Sequence, residues 1–208
     1  MNLAETVASD LLEIGAVTLS PKKPFIWASG LKSPIYCDNR LTISYPEIRT
    51  RIAKGIAGII CEKYPDTEVI AGTATAGIPH AAWIANELNL PLIYVRTKPK
   101  DHGTGQQIEG RLIKGQKTIL IDDLISTGGS VIQAVNAAKN EGADVLGVIG
   151  IFSYELAAST INFAEIETPF ETLTNYSTLI KVAKEQEKIN SDEKLLLDKW
   201  RINPSNWL

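Results

Sequence analysis

The sequence has little cysteine, no long apolar run and no excess of positive charge. Its two cysteines, Cys37 and Cys61, match the spacing of neither a disulfide framework nor a metal site. No run of 18 apolar residues is present, so we expect no membrane-spanning helix. The first ten residues lack the basic and apolar regions of a signal peptide. We therefore expect a protein of the reducing cytoplasm, with no membrane partner.

The charge balance argues against a broad basic surface. The 21 Lys and Arg residues stand against 24 Asp and Glu residues, which gives a net charge of -3. Such a chain has no global positive field that would collect nucleic acid or anionic lipid. We expect no nucleic-acid partner, and any basic binding site must be local.

The order of predicted elements indicates the fold class. A chain of 208 residues, 44% of them hydrophobic, is long and apolar enough for a single domain with its own core. Predicted strands and helices alternate, which favours an α/β fold with a mainly parallel central sheet flanked by helices. Ser44 followed by Glu47 is a capping-box pattern and predicts the start of the second helix. The predicted elements are a helix over 2–14, short strands and turns over 17–45, a helix after Ser44, strands over 68–71, 92–95, 117–121 and 145–152, helices over 79–88 and 129–141, and two helices from Tyr176 onward.

The segment from Thr118 to Ser130, TILIDDLISTGGS, carries the clearest chemistry. An apolar strand is followed by Asp122 and Asp123 and then by a hydroxyl- and glycine-rich turn that leads into a helix. Free N–H groups, hydroxyls and the helix dipole at such a turn favour a phosphate. The carboxylates would repel a bare phosphate, so the ligand must also carry hydrogen-bond donors, as a ribose 5-phosphate does. The alternative is ordinary turn chemistry at a strand end.

This segment resembles the phosphoribosyl pyrophosphate (PRPP) signature of the type I phosphoribosyltransferases. The resemblance implies the fold of that family, with a small N-terminal part called the hood. It also implies that Asp122 and Asp123 bind the ribose hydroxyls and that residues 126–130 bind the 5-phosphate. The residues implied to bind PRPP are Arg96, Lys100, His102, Asp122, Asp123, Leu124, Ile125, Ser126, Thr127, Gly128, Gly129 and Ser130.

A polar, glycine-rich stretch over residues 96–116 is too long to be a simple connector, and loops of this length are usually functional or disordered. Its first part, RTKPKDHGTGQQIEG, holds Arg96, Lys98, Lys100 and His102, and such a cationic loop suits a leaving pyrophosphate. Read alone, a charged loop of this kind can also be an ordinary solvated surface. It resembles the catalytic loop of orotate phosphoribosyltransferases, which implies that Arg96, Lys100 and His102 contact the pyrophosphate and that the loop reaches into the other subunit of a homodimer. The implied catalytic residues are Lys100, His102, Asp122 and Asp123.

The segment FIWASGLKSPIYCDNR, residues 25–40, resembles the hood of the same enzymes. From chemistry alone, a structural turn region with Trp27 and Tyr36 in the core is as good an interpretation. The resemblance divides one domain, residues 1–208, into a hood over about 1–45, a core over about 46–175 and C-terminal helices over about 176–208.

Three positions depart from this resemblance and leave open how the carboxylate of orotate is held. Many orotate enzymes have lysines where this chain has Ala28 and Ala76, and an arginine near the position of Tyr154. Arg40 is a candidate substitute. Ser126 is implied to lie close to orotate as well as to phosphate.

The implied activity is transfer of the ribosyl 5-phosphate group from PRPP to orotate, giving orotidine 5-phosphate and pyrophosphate in pyrimidine biosynthesis. The implied cofactor is Mg²⁺, held mainly by PRPP and water with no direct protein ligand. Two alternatives remain: a purine or uracil phosphoribosyltransferase, and a regulatory protein that senses PRPP.

Overall fold

A computed structural model describes residues 1–27, 30–98 and 107–207. The helices are α1 (Leu3–Glu13), α2 (Pro46–Lys63), α3 (Gly77–Leu88), α4 (Gly129–Asn140), α5 (Ala157–Glu165), α6 (Tyr176–Glu185) and α7 (Ser191–Ile202), with a 3-10 helix over Asn39–Ser44. The strands are β1 (Val17–Leu19), β2 (Phe25–Ile26), β3 (Lys32–Ser33), β4 (Ile35–Cys37), β5 (Val69–Thr73), β6 (Leu92–Val95), β7 (Ile108–Glu109), β8 (Lys117–Ile125), β9 (Asp144–Ser153) and β10 (Phe170–Asn175).

Six strands form the central sheet, in the order β10-β9-β8-β5-β6-β7. Every pairing in it is parallel except that of β6 with β7. The predicted mainly parallel sheet is therefore confirmed. The carboxyl ends of its strands meet at one edge, which is where open α/β sheets bind ligands.

Alternate residues of β8 are buried on opposite faces of the sheet, as the twofold repeat of a strand requires. Ile119 and Ile121 lie in one cluster with Ile56 of α2, whereas Leu120 lies in a second cluster with Val135 of α4. Helices thus cover both faces, and β8 runs between two cores. Because both faces of β8 are packed against helices, the strand that carries Asp122 and Asp123 is firmly held in the core.

The N-terminal segment expected to form the hood contains two short antiparallel pairs, β1 with β4 and β2 with β3. The C-terminal segment packs against it. The Trp207 indole donates a 3.1 Å hydrogen bond to the Lys32 carbonyl. Trp27 lies against Trp200 and Tyr154, with ring centroids 5.8 Å and 5.0 Å apart.

Several boundaries differ from those predicted. The prediction of a capping box at Ser44 is wrong. Ser44 is the last residue of the 3-10 helix, and α2 begins at Pro46 with no side-chain cap. Proline is tolerated there because the first N–H of a helix has no intrahelical partner. Strand β8 also continues to Ile125, since β9 keeps pairing with it as far as Ser153. Helix α5 and strand β10 were not predicted.

Within the part of the chain that the structure describes, none of the helices combines the length and apolarity needed to cross a bilayer.

Candidate active site

The carboxyl end of β8 carries two adjacent carboxylates. Asp122 is only 8% exposed, and its Oδ1 accepts hydrogen bonds from the Thr73 hydroxyl at 2.7 Å and from the Asp123 N–H at 3.0 Å. Asp123 is half-buried beside it. Two donors thus fix one oxygen of Asp122, so the orientation of this carboxylate is set by strands β5 and β8.

Burial makes both carboxylates easier to protonate. It raises the pKa of Asp122, and the hydrogen bond from Thr73 opposes that rise. Burial, together with the charge of Asp122, raises the pKa of Asp123 to about 7, although the positive charge of Arg40 opposes the rise. The two neighbouring carboxylates therefore influence each other's titration, and of the two it is Asp123 whose pKa is raised to about 7.

A tight turn connects β8 to α4. Gly128 has a φ of 84°, and a Cβ at this position would lie 2.8 Å from the ring of Phe163. Only glycine fits both conditions without strain. Gly128 has no side chain to cap α4, so the first N–H groups of the helix remain available to an anion. The turn is held in place by the Asn162 amide, which donates a 2.9 Å hydrogen bond to the Thr127 carbonyl.

The remaining signature residues lie around this turn. Ser126 is half-buried, whereas Thr127, Gly129 and Ser130 are exposed. Ile125 is fully buried, so only its backbone groups can face a ligand, whereas Leu124 is partly buried and packs against the core.

A small cavity of about 50 Å³ joins the strand ends to the start of α4. Arg96, Asp122 and Ser130 all line it, so three of the predicted site residues meet there. The Arg96 guanidinium also lies 3.6 Å from a Glu109 carboxylate oxygen. The other two predicted loop residues, Lys100 and His102, lie outside the described residues.

Comparison with known proteins places this arrangement in a family. The family model for the phosphoribosyl transferase domain matches residues 44–158. The orotate phosphoribosyltransferase of Enterococcus faecalis is 58% identical over 205 residues, covering 99% of this chain and 98% of that protein. The orotate phosphoribosyltransferase of Lactiplantibacillus plantarum is 61% identical over 205 residues, covering 99% and 97%. The chain belongs to the orotate phosphoribosyltransferase family.

Solved structures share the fold of this phosphoribosyltransferase family. Leishmania donovani UMP synthase aligns with a TM-score of 0.80 at 27% identity, covering 96% of this chain and 43% of that one. The orotate phosphoribosyltransferase of Aeropyrum pernix aligns with a TM-score of 0.74 at 23% identity, covering 88% and 99%. The predicted resemblance to orotate phosphoribosyltransferases is thereby confirmed.

Two residues at this orotate phosphoribosyltransferase site were not predicted from the sequence. Thr73, at the end of β5, holds Asp122, and its place after an apolar strand next to β8 is the signal that could have pointed to it. Asn39 donates a hydrogen bond from its side-chain amide to the Asp123 carbonyl. No local pattern indicates that contact, because the two residues are 84 positions apart.

The close approach of α3 to β8 also shapes the site. A Cβ on Gly77 would lie 2.4 Å from the Ile121 carbonyl oxygen and 2.6 Å from the Thr73 hydroxyl. Glycine at this position lets the first turn of α3 pack directly against the strand end. Thr73 is therefore held between α3 and β8.

The three departures from the family pattern have different surroundings. Ala28 lies outside the described residues, and Ala76 directly precedes α3 as its N-cap. Tyr154 is 2% exposed and packs in the core, where burial strongly raises its pKa. Arg40, the candidate substitute for the missing cations, forms two hydrogen bonds to the Asp38 carboxylate at 2.6 Å and 2.7 Å.

Proposed function

We propose that this protein transfers the ribosyl 5-phosphate group from PRPP to N1 of orotate, giving orotidine 5-phosphate and pyrophosphate in de novo pyrimidine biosynthesis. The observation that carries the proposal is the pair of adjacent carboxylates, the buried Asp122 and the half-buried Asp123, beside the uncapped start of α4. Hydrogen-bond acceptors next to an anion site suit a ligand that joins sugar hydroxyls to a phosphate.

The proposed roles follow from where each group lies. Asp122 and Asp123 accept hydrogen bonds from the ribose hydroxyls and orient the sugar. The hydroxyls and N–H groups of residues 126–130 hold the 5-phosphate, and Ser126 also lies next to orotate. As the bond from the anomeric carbon to pyrophosphate breaks and the bond to N1 forms, positive charge builds on the sugar. The two carboxylates favour that charge.

The loop cations are proposed to act on the leaving group. Arg96, Lys100 and His102 would offset the negative charge that builds on pyrophosphate during bond cleavage. Arg96 lines the same cavity as Asp122, which supports its place near the substrate.

Mg²⁺ fits the site as an ion held mainly by PRPP and water. Among the described residues, no group of three or more His, Cys, Asp or Glu side chains could hold a metal ion. Hard Mg²⁺ commonly keeps several waters and binds substrate phosphates. When bound, the ion would neutralise charge on the pyrophosphate.

We also propose a cytoplasmic homodimer in which the loop of one subunit completes the site of the other. The chain is proposed to form one domain, with a hood (1–45), a core (46–175) and C-terminal helices (176–208). The contact of Trp207 with Lys32, which ties the C-terminal segment to the hood, supports a single domain.

The decisive experiment is an absorbance assay of orotate consumption with PRPP and Mg²⁺, run in parallel with uracil, hypoxanthine and adenine. We expect turnover with orotate and none with the other three bases. Turnover of a purine or of uracil in preference to orotate would replace the proposed acceptor. Binding of PRPP without turnover of any of the four would favour a sensing role.

A further inference from the structure

A side-chain hydrogen bond connects the hood to the carboxylate pair. Asn39 is fully buried, and its Nδ2 lies 2.5 Å from the backbone carbonyl oxygen of Asp123. Asn39 opens the 3-10 helix that follows β4, whereas Asp123 stands near the end of β8. The bridge therefore joins two parts of the fold that the sequence places far apart.

The amide of Asn39 is held in one orientation. Burial raises the pKa of the Cys37 thiol, so the thiol keeps its proton and donates to Asn39 Oδ1 at 3.2 Å. The Asp123 carbonyl is purely an acceptor, so it requires the nitrogen of the amide to face it. The Thr42 hydroxyl, in turn, donates a 2.6 Å hydrogen bond to the backbone carbonyl of Asn39. Both the side chain and the backbone of Asn39 are thus fixed.

The Asn39 amide contacts β8 beyond the point where the pairing of β8 with β5 ends. Pairing of β8 with β5 ends at Ile121, whereas pairing with β9 continues to Ile125. Among the strands that the structure describes, only β9 pairs with the segment that contains Asp123. A donor from the hood therefore stabilises this segment where β5 no longer does.

The segment around Asn39 is also fixed on its outer side. Asp38 caps the 3-10 helix by accepting from the Arg40 N–H at 3.2 Å, and it binds the Arg40 guanidinium as well. This pair fixes the residues on either side of Asn39. The hydrogen bond from Asn39 therefore links the position of this segment to that of Asp123.

We propose that Asn39 is a positioning residue for the transfer reaction: the hood uses its amide to set where Asp123 stands against the ribose of PRPP. This inference rests on the proposed function, because it assumes that Asp123 binds the ribose. Asn39 itself contacts no reacting atom in this scheme. Its effect is exerted on the ribose-binding carboxylate and leaves the phosphate-binding turn unchanged.

The Asn39→Asp substitution tests this role directly. Aspartate keeps the size of the side chain and an oxygen that accepts from Cys37, but it replaces the donor with an acceptor facing the Asp123 carbonyl. Calorimetric binding of ribose 5-phosphate and of inorganic phosphate, both to the whole protein, separates the two parts of the site. We expect affinity for ribose 5-phosphate to fall roughly 10- to 100-fold, as does kcat/KM for PRPP, because a misplaced group loses that much. Affinity for inorganic phosphate should change less than about twofold, because the free N–H groups of α4 that bind it are untouched.

Two further variants show whether any loss of binding comes from a change in folding. Asn39→Ser is too short to reach the Asp123 carbonyl and adds no charge, so it repeats the test should the aspartate variant fail to fold. Asn190→Ala removes the side-chain cap of α7, far from the site, and serves as a control for lost stability. That control should keep wild-type affinity for both ligands.

The possible results separate this proposal from the proposed function. If the Asn39 variants bind both ligands as wild type does, or lose both affinities equally, Asn39 has no specific role in placing Asp123. If the wild-type protein binds ribose 5-phosphate no more tightly than inorganic phosphate, the ribose site itself is wrong, and the proposed function fails with it.

Discussion

The Thr73 hydroxyl donates a 2.7 Å hydrogen bond to the Asp122 carboxylate, joining the end of β5 to the end of β8. The same hydroxyl oxygen lies 3.1 Å from the Ile121 carbonyl oxygen. The neighbouring strand thus holds a buried carboxylate in place before any ligand arrives. Under the proposed function, this preorganisation fixes the charge that faces the ribose.

Removing either charge should stop turnover and leave the fold intact. We expect Asp123→Asn and Asp122→Asn each to lower kcat by roughly 100-fold, because an amide lacks the negative charge that faces the ribose. Burial disfavours both charges, so neither variant should unfold at a lower temperature than wild type. Steady-state kinetics and thermal melts measure both effects. Wild-type activity in both variants would show that the ribose site lies elsewhere.

The raised pKa of Asp123 predicts how activity depends on pH. Protonated Asp123 lacks the required charge, so kcat/KM for PRPP should rise between pH 5.5 and 8, with a midpoint near the pKa of about 7. Asp123→Asn should lose this rise. Any ionisation of PRPP affects both proteins equally and cancels in the comparison. An identical pH profile in the two proteins would assign the titration to another group.

Ser126 should be needed for binding more than for stability. Ser126→Leu is expected to abolish detectable binding of PRPP, because the larger side chain fills the turn that holds the phosphate. The melting temperature should change little, since Ser126 is a half-buried turn residue and no part of the core. Calorimetry and a thermal melt give the two readings. Strong destabilisation with normal binding would make Ser126 a structural residue.

His80 should make the protein less stable in mild acid. It is 1% exposed, and among the described residues no group lies within hydrogen-bonding distance of its Nδ1. Burial lowers its pKa from 6.5 to about 4, so the folded state favours the neutral ring. The stabilisation is complete above pH 6.5 and is lost as the pH falls towards 4, because the unfolded chain takes up the proton first.

The comparison variant for this effect is His80→Gln. Between pH 7.5 and pH 5.0, wild type should lose about 2 kcal/mol more unfolding free energy than the variant does. Urea unfolding at the two pH values measures the difference. Carboxylates such as Asp123 titrate in both proteins, so their contribution cancels. Equal losses would mean that His80 keeps its ordinary pKa in the folded protein.

A shared active site can be tested with two inactive variants. Lys100→Ala and Asp123→Asn should each be nearly inactive alone. Unfolding, mixing and refolding them in equal amounts makes half of the dimers mixed, and one of the two sites in each mixed dimer then has an intact loop and intact carboxylates. Activity should return to about a quarter of wild type. If mixed dimers form and the mixture stays inactive, each loop serves its own chain.

The local patterns of the sequence were sufficient to locate the strand, the turn and the helix that carry Asp122, Gly128 and Ser130. These features depend on short-range rules: an apolar run, a glycine with positive φ and a helix start. The same rules missed how far β8 extends, because its last residues are paired by β9, whose register is set by tertiary contacts. They also misplaced the start of α2, since Pro46 took the first helical position and left Ser44 in the 3-10 helix.

The partners of the two carboxylates could not be read from local sequence. Thr73 and Asn39 lie 49 and 84 positions away from the residues they contact. Which distant side chain reaches a strand end depends on the order of strands in the sheet and on where the hood folds back. No residue-by-residue pattern contains that information.

The contact between Trp207 and Lys32 also bears on the order in which the protein is completed during synthesis. The sheet has all its strands once residue 175 has left the ribosome, so the β8 turn can form early. The hood is made first, yet Trp200 and Trp207 reach it only when residues 200–207 have emerged. A nascent chain can therefore form the turn between β8 and α4 before its hood makes these contacts.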